Sequence, residues 1–212
     1  EEHNAIVKRC VEIAAKRVPV IAGTGSNSTK EAIALTQKAK LDGADAALVV
    51  TPYYNKPTQE GLFAHYKAIH DAAALPIVIY NIPGRCVIDM SVDTMAKLAK
   101  LPNIVGVKDA TGDLARPLEV IQKIGHDFCQ LSGDDITAAA FMAQGGAGCI
   151  SVVSNIAPRL SSNMYEAWFK GDFKDVARIR DLLAPLAKNL FCESNPAPVK
   201  YAAQALGLCT DE

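Results

Sequence analysis

The chain has 212 residues, 50% of them hydrophobic and 21% charged, with a formal net charge of −1. That is apolar material for one large domain or two small ones, and no block of Lys and Arg is present to hold a nucleic acid or an anionic membrane surface. The longest apolar stretches have strand length, which excludes a membrane-spanning helix.

In chain order, the opening EEHNAIVKRC is acidic and helical in pattern, so a helix rather than a signal peptide is expected there. Six apolar, β-branched runs follow: VPVIAG 18–23, AALVVT 46–51, PIVIYN 76–81, NIVGVK 103–108, FCQLSG 128–133 and GCISVV 148–153. They read as continuous rather than alternating, as strands buried on both faces do. Between them lie helical patterns with recognisable caps. Ser28 precedes TKEAIALTQKAKL, which stops before Gly43, and Ser91 precedes VDTMAKLAK. Asp134 or Asp135 precedes ITAAAFMAQ, which stops at Gly145; the simplest role for Asp135 is a helix N-cap. Strand–helix alternation at this spacing predicts βαβ units and a parallel sheet. After residue 157 helices alone are expected, over 158–170, 172–190 and 196–206. No linker, low-complexity tract or second core is evident, so the expected organisation is a barrel portion over 1–157 and a helical region over 158–212.

The six cysteines (10, 86, 129, 149, 192 and 209) show no CxxC and no regular spacing, which favours reduced thiols in a cytoplasmic protein. His65 and His70, five apart on a predicted helix, do not share a face, and no metal site is expected.

Two parallel-sheet architectures compete. A doubly wound sheet would carry a Gly-rich phosphate loop after its first strand; AGTGSNST offers only a lone GxG without an acidic ribose partner. A (β/α)8 TIM barrel instead places chemistry at the C-terminal ends of many strands. Nearly every run here ends in polar or reactive residues: GTGSN, TPYYN, YNIPGR, KDATG, SGDD and SVVSN. The α/β barrel is therefore the expected fold, represented by six of its eight strands.

Three strand-end residues carry most of the chemistry. Lys108 closes IVGV; it either snorkels out or pairs with a carboxylate such as Asp109, or its ammonium enters the barrel mouth. In a mouth with little water, desolvation favours the neutral amine, which can attack a carbonyl and form a Schiff base. Tyr80 ends the preceding run, as a core tyrosine or as a proton relay beside that amine. Arg85, five residues on, is a solvated loop arginine or a bidentate clamp for a carboxylate. The two aspartates of SGDD would repel a phosphate, so a phosphorylated substrate is disfavoured.

VTPYYNKPTQEGL, YNIPGR, VGVKDATG, LSGDD, GCISVVSN and PAPVKYA, in this order, closely resemble the dihydrodipicolinate (4-hydroxy-tetrahydrodipicolinate) synthases, in the N-acetylneuraminate lyase superfamily of class I aldolase barrels. The resemblance covers essentially the whole chain. It implies a Schiff-base aldol condensation of pyruvate with L-aspartate 4-semialdehyde on the way to diaminopimelate and lysine. Lys108 would form the imine, with no separate cofactor. Tyr80 would shuttle protons, and Tyr54 would reach into a neighbouring subunit's site to complete the relay. Arg85 would hold the semialdehyde's carboxylate, and the backbone of Gly133 and Ile150 would line the pyruvate pocket. His3, Asn27, Glu31 and Tyr53 match a pocket for L-lysine as inhibitor, distinct from the catalytic site. The assembly implied is a homo-oligomer, a dimer of dimers, in the cytoplasm.

The sequence departs from the family pattern in lacking the Gly-Thr-Thr-Gly-Glu loop that binds the pyruvate carboxylate, so the six runs are read as barrel strands three to eight of a longer protein. Ser194 and Ser154 stand where Pro and Ala are commoner. The alternatives are a sister pyruvate-dependent aldolase acting on a sugar acid, or a non-catalytic lysine-binding relative.

Overall fold

A computed structural model describes residues 2–210. The elements run α1 (Glu2–Ala14), β1 (Ile21–Gly23), α2 (Thr29–Leu41), β2 (Ala46–Val50), α3 (Gln59–Ala72), β3 (Ile77–Asn81), α4 (Pro83–Cys86), α5 (Val92–Leu98), β4 (Ile104–Asp109), α6 (Arg116–Ile124), β5 (Cys129–Ser132), α7 (Ala138–Ala143) and β6 (Gly148–Cys149), then a 3-10 turn (Val153–Asn155), α8 (Pro158–Phe169), α9 (Phe173–Asn189) and α10 (Ala197–Ala205). The strands follow one another in chain order in a single sheet, and β1 to β4 pair in parallel. Among the described residues no helix is long and apolar enough to cross a membrane.

The caps at Ser28 and Ser91 form as their sequences predict: each side chain accepts a backbone N–H three residues on, from Glu31 and Thr94. The cap expected of Asp135 does not form. Its carboxylate accepts the N–H groups of Val152 and Val153, at 2.8 and 3.1 Å, while Asp134 holds the Thr137 N–H and hydroxyl. That also corrects the sixth strand. The run 148–153 yields only Gly148–Cys149, because the donors at 152 and 153 go to a side chain and the chain turns into 3-10 geometry.

The strands look apolar throughout, yet their burial alternates. In β2, Ala47 and Val49 are fully buried, while Ala46, Leu48 and Val50 are half-buried. The buried set, with Ile77, Ile79 and Val107, packs against α3 and α5 through residues such as Leu62, Ile69 and Met95. The half-buried set forms the other face of the sheet.

One irregularity sets the register between β3 and β4. Ile77 pairs with Ile104 but Val78 pairs with Gly106, so Val105 is an extra residue on β4. A one-residue slip exchanges the faces of every side chain beyond it. Ile104 and Val107, three apart, thereby both reach the buried face. Gly106 permits the close approach of β5, since a Cβ there would lie 2.3 Å from the Cys129 carbonyl oxygen.

Contacts divide the chain into two compact units, Glu1–Leu131 and Ser132–Glu212. Contrary to the expectation of one core, the second unit has its own apolar cluster, in which Met164 and Ala167 of α8 pack with Val176, Ile179 and Leu183 of α9. Amphipathic patterns over 158–169 and 173–189 show the helices, but which face pairs with which is a tertiary fact.

His65 and His70 have different surroundings, as their spacing predicts. His70 sits 3.0 Å from Asp71, whereas His65 is buried, with Nδ1 2.8 Å from the Thr29 hydroxyl. Burial lowers the His65 pKa to about 4. The native state therefore holds a neutral imidazole that the unfolded chain protonates below about pH 6.5. Stability from this group is present above that pH and is lost as pH falls toward 4, by about 2–3 kcal/mol. Urea unfolding at pH 7 and pH 4.5 should show that extra loss in the parent and not in His65→Gln. Equal pH dependence in both proteins would contradict it.

Candidate active site

The bulge at Val105 places Lys108 directly opposite Tyr80. Both belong to the half-buried face of the sheet, away from the helix-covered core. The Lys108 Nζ lies 4.0 Å from the centroid of the Tyr80 ring, a distance at which the electron-rich face attracts an ammonium. Burial raises the Tyr80 phenol above its ordinary pKa; the Arg85 charge opposes the rise and the Cys86 thiol adds to it. The phenol therefore stays protonated at neutral pH and is available as a proton donor.

Beside this pair is a recess of about 1030 Å³, open to solvent. Tyr80, Arg85 and Cys86 line it together with His3, Tyr53 and the strand residues Leu48 and Val50. Arg85 sits on the single turn α4, directly after β3, where Pro83 starts the turn and the Cys86 N–H bonds the Ile82 carbonyl. Cys86 is buried and its thiol donates to the Thr51 carbonyl at 3.3 Å. Of the predicted catalytic residues the structure thus brings Lys108 and Tyr80 together, and Tyr80 shares the recess with Arg85, the predicted carboxylate clamp.

The residues assigned by resemblance to a separate lysine pocket divide. His3 and Tyr53 line the same recess as Tyr80, and the His3 Nε2 is 2.7 Å from the Gly23 carbonyl oxygen. Asn27 and Glu31 do not line it. The Asn27 carbonyl accepts the Asn55 amide at 3.0 Å, and Glu31 accepts the Ser26 hydroxyl at 2.5 Å. Tyr54 is 88% exposed and stands outside the recess, with φ of +72°, a left-handed conformation that a bulky residue adopts only under constraint. In the second unit, Gly133 follows β5 and Ile150 follows β6; the Ile150 N–H donates to the carbonyl of Ser132 at 2.9 Å, which sets the two backbone segments side by side.

The sequence reading missed the polar residues behind the pair. Asn81 and Asp109, the residues following Tyr80 and Lys108, are buried on the opposite face of the sheet. Asp109, weighed above as a partner for Lys108, instead accepts the Thr111 N–H and hydroxyl at 2.8 and 2.6 Å and lies 3.1 Å from Arg116. Burial raises the Asp109 pKa against the pull of Thr111 and Arg116. The available signal was a polar residue at a core-facing strand position.

Comparison with known proteins identifies the family. A match to the dihydrodipicolinate synthetase family spans residues 1–212. The 4-hydroxy-tetrahydrodipicolinate synthase of Rhodospirillum centenum is 69% identical over all 212 residues, which correspond to 73% of that relative's length. The chloride-inhibited dihydrodipicolinate synthase from Acinetobacter baumannii, complexed with pyruvate, superposes with a TM-score of 0.95 at 51% identity, over 99% of this chain and 72% of that one. The enzyme from Cyanidioschyzon merolae with lysine bound gives 0.93 at 39% identity, over 98% and 71%. The six-stranded parallel sheet and its helices are thus part of a TIM barrel of this kind, and the chain belongs to the dihydrodipicolinate synthetase family.

Proposed function

We infer that the chain carries out the reaction its relatives are named for, as a lyase that makes 4-hydroxy-tetrahydrodipicolinate on the route to diaminopimelate and lysine. Pyruvate and L-aspartate 4-semialdehyde are its substrates. The observation that carries the site assignment is Lys108 Nζ 4.0 Å over the Tyr80 ring, held there by strand register. The neutral Lys108 amine adds to the pyruvate ketone, Tyr80 relays a proton to the carbinolamine oxygen, and water leaves to give the imine. Loss of a methyl proton gives an enamine, whose carbon attacks the aldehyde of the semialdehyde. The new alkoxide takes a proton, and the substrate's own amine displaces Lys108 as the ring closes. The covalent imine is the electron sink, so the reaction needs no separate cofactor.

Arg85, exposed on its turn at the mouth of the recess, is suited to gripping the semialdehyde carboxylate. The backbone of Gly133 and Ile150 would line the pyruvate pocket, as the family pattern these residues match implies. Tyr54 works from a second subunit. Its 88% exposure and left-handed backbone support a role outside its own recess, in a homo-oligomer built as a dimer of dimers in the cytoplasm. L-lysine binds at His3, Asn27, Glu31 and Tyr53. Glu31 would pair with an ammonium group, and Tyr53, beside Tyr54, offers a short route from that pocket to the relay.

Four measurements test this reading on the protein as its gene encodes it. Borohydride reduction with pyruvate, followed by peptide mass mapping, should place the adduct on Lys108; an adduct on another lysine ends the assignment. Tyr80→Phe should still give the adduct but lower turnover roughly 10²- to 10⁴-fold. Mixing Tyr54→Phe with Lys108→Ala protein should recover activity through hybrid dimers that hold one intact site; no recovery despite subunit exchange rules out a shared site. Calorimetric titration with L-lysine should show binding that Glu31→Ala weakens at least tenfold, and equal binding by both proteins would remove Glu31 from the pocket.

A further inference from the structure

Behind Tyr80 and Lys108, on the helix-covered side of the sheet, a closed polar ring joins the two strand ends. Asn81, fully buried, donates its amide to Asp89 Oδ1 at 2.7 Å and accepts the Met90 N–H at 3.0 Å. Asp89 Oδ2 in turn accepts Arg116 Nη1 at 3.0 Å, and Arg116 Nη2 donates to the Met90 carbonyl. Arg116 Nε lies 3.1 Å from Asp109 Oδ2, a charge contact whose N–H direction falls outside hydrogen-bond geometry. One guanidinium thus faces two carboxylates. Asp109 is the residue after Lys108. Asp89 holds the residue after Tyr80.

Local sequence brings the guanidinium there. Asp109 holds the Thr111 N–H, the Thr111 hydroxyl holds the Asp113 N–H, and Asp113 Oδ1 holds the Ala115 N–H, so successive tight turns lead to Arg116 at the start of α6. Gln59 on α3 fixes the other arm: its amide donates to the Asp89 carbonyl at 2.8 Å, and its carbonyl accepts the Ser91 N–H and the Thr94 hydroxyl at 3.0 and 2.7 Å. Arg116 is buried, with its aliphatic stem and head inside the βα layer. Arg116 and Asp109 are buried while Asp89 stays exposed at the rim, and a buried ion pair of this kind contributes little net stability against an apolar replacement, so fixing geometry is the function that accounts for it.

We propose that Arg116 is a positioning residue for the imine-forming pair: by tying Asn81 and Asp109 together behind the sheet, it holds Tyr80 and Lys108 in reacting register in front of it. Successive strand residues share one backbone, so a shift of Asn81 or Asp109 along its strand carries its neighbour with it. A misplacement of about 1 Å costs a reaction on the order of 10²-fold. The proposal rests on the reading of Lys108 and Tyr80 given above.

The test uses Arg116→Lys, which keeps a cation but cannot bridge both carboxylates, and Asp109→Asn, which keeps the shape and removes one charge. Lys123→Ala, on the exposed face of the same helix, where Lys123 pairs with Asp93, is the control. Both ring variants, folded by circular dichroism, should lose about 10- to 100-fold in kcat and in the rate of borohydride-trapped imine formation, with the KM for pyruvate within about threefold of the parent. The control should match the parent. Arg116→Lys should cost markedly less in a Tyr80→Phe background than alone, because the group it positions has already been removed. Ring variants that are destabilised yet trap and turn over within twofold of the parent would show a purely structural ring and overturn the inference alone. A parent without an adduct on Lys108 would overturn the underlying reading and the inference with it.

Discussion

The β4 bulge at Val105 puts a lysine across from a tyrosine. Without it, Tyr80 would pair with Val107, and Lys108 would point into the apolar layer between sheet and helices, where a charge is costly to bury. With it, Ile104 and Val107 both serve the core and Lys108 serves the open face. Gly106 accommodates the distortion because β5 presses close enough to leave no room for a Cβ. The pairing of Lys108 with Tyr80 therefore depends on a one-residue offset and a missing methyl group.

Each strand end has two tasks, divided between alternate residues. Toward the helices, Ile77, Ile79 and Val107 bury apolar surface worth roughly 25 cal/mol per Å², which fixes the strands against α3 and α5. Away from the helices, Tyr80 and Lys108 remain half-buried, Tyr80 at the wall of the open recess and Lys108 over its ring. Polar residues continue the core face beyond the apolar ones, where Asn81, Asp109 and Arg116 meet. Rigid positions behind a reactive pair leave less reorganisation to be done when charge develops in front of it.

Much of this was legible in the sequence because it is local. Caps at Ser28 and Ser91, the helices after residue 157 and the reactive strand ends depend on neighbours within a few residues, and the structure has them. Resemblance supplied the roles. What escaped was long-range. Asp135 has the chemistry of an N-cap, but its carboxylate is taken by backbone donors 17 and 18 residues away. The apolar cluster of α8 and α9 requires knowing which helix faces meet. The bulge has no signature beyond a glycine in a strand, and Arg116 sits seven residues from Asp109 with no periodic pattern to connect them.

His3 and Tyr53 line the same recess as Tyr80 and Arg85, so ligands at the proposed L-lysine and pyruvate positions would meet through shared walls rather than across a long path. Any coupling between them must be reciprocal: if L-lysine weakens pyruvate, pyruvate weakens L-lysine by the same factor. All of this depends on Lys108 being the residue that meets the keto acid. A crystal structure of the protein soaked with pyruvate tests that most directly. The account predicts continuous density from Lys108 Nζ to the keto carbon, with the Tyr80 oxygen within hydrogen-bond reach of the adduct. Pyruvate bound without a covalent link, or linked to another residue, would contradict it.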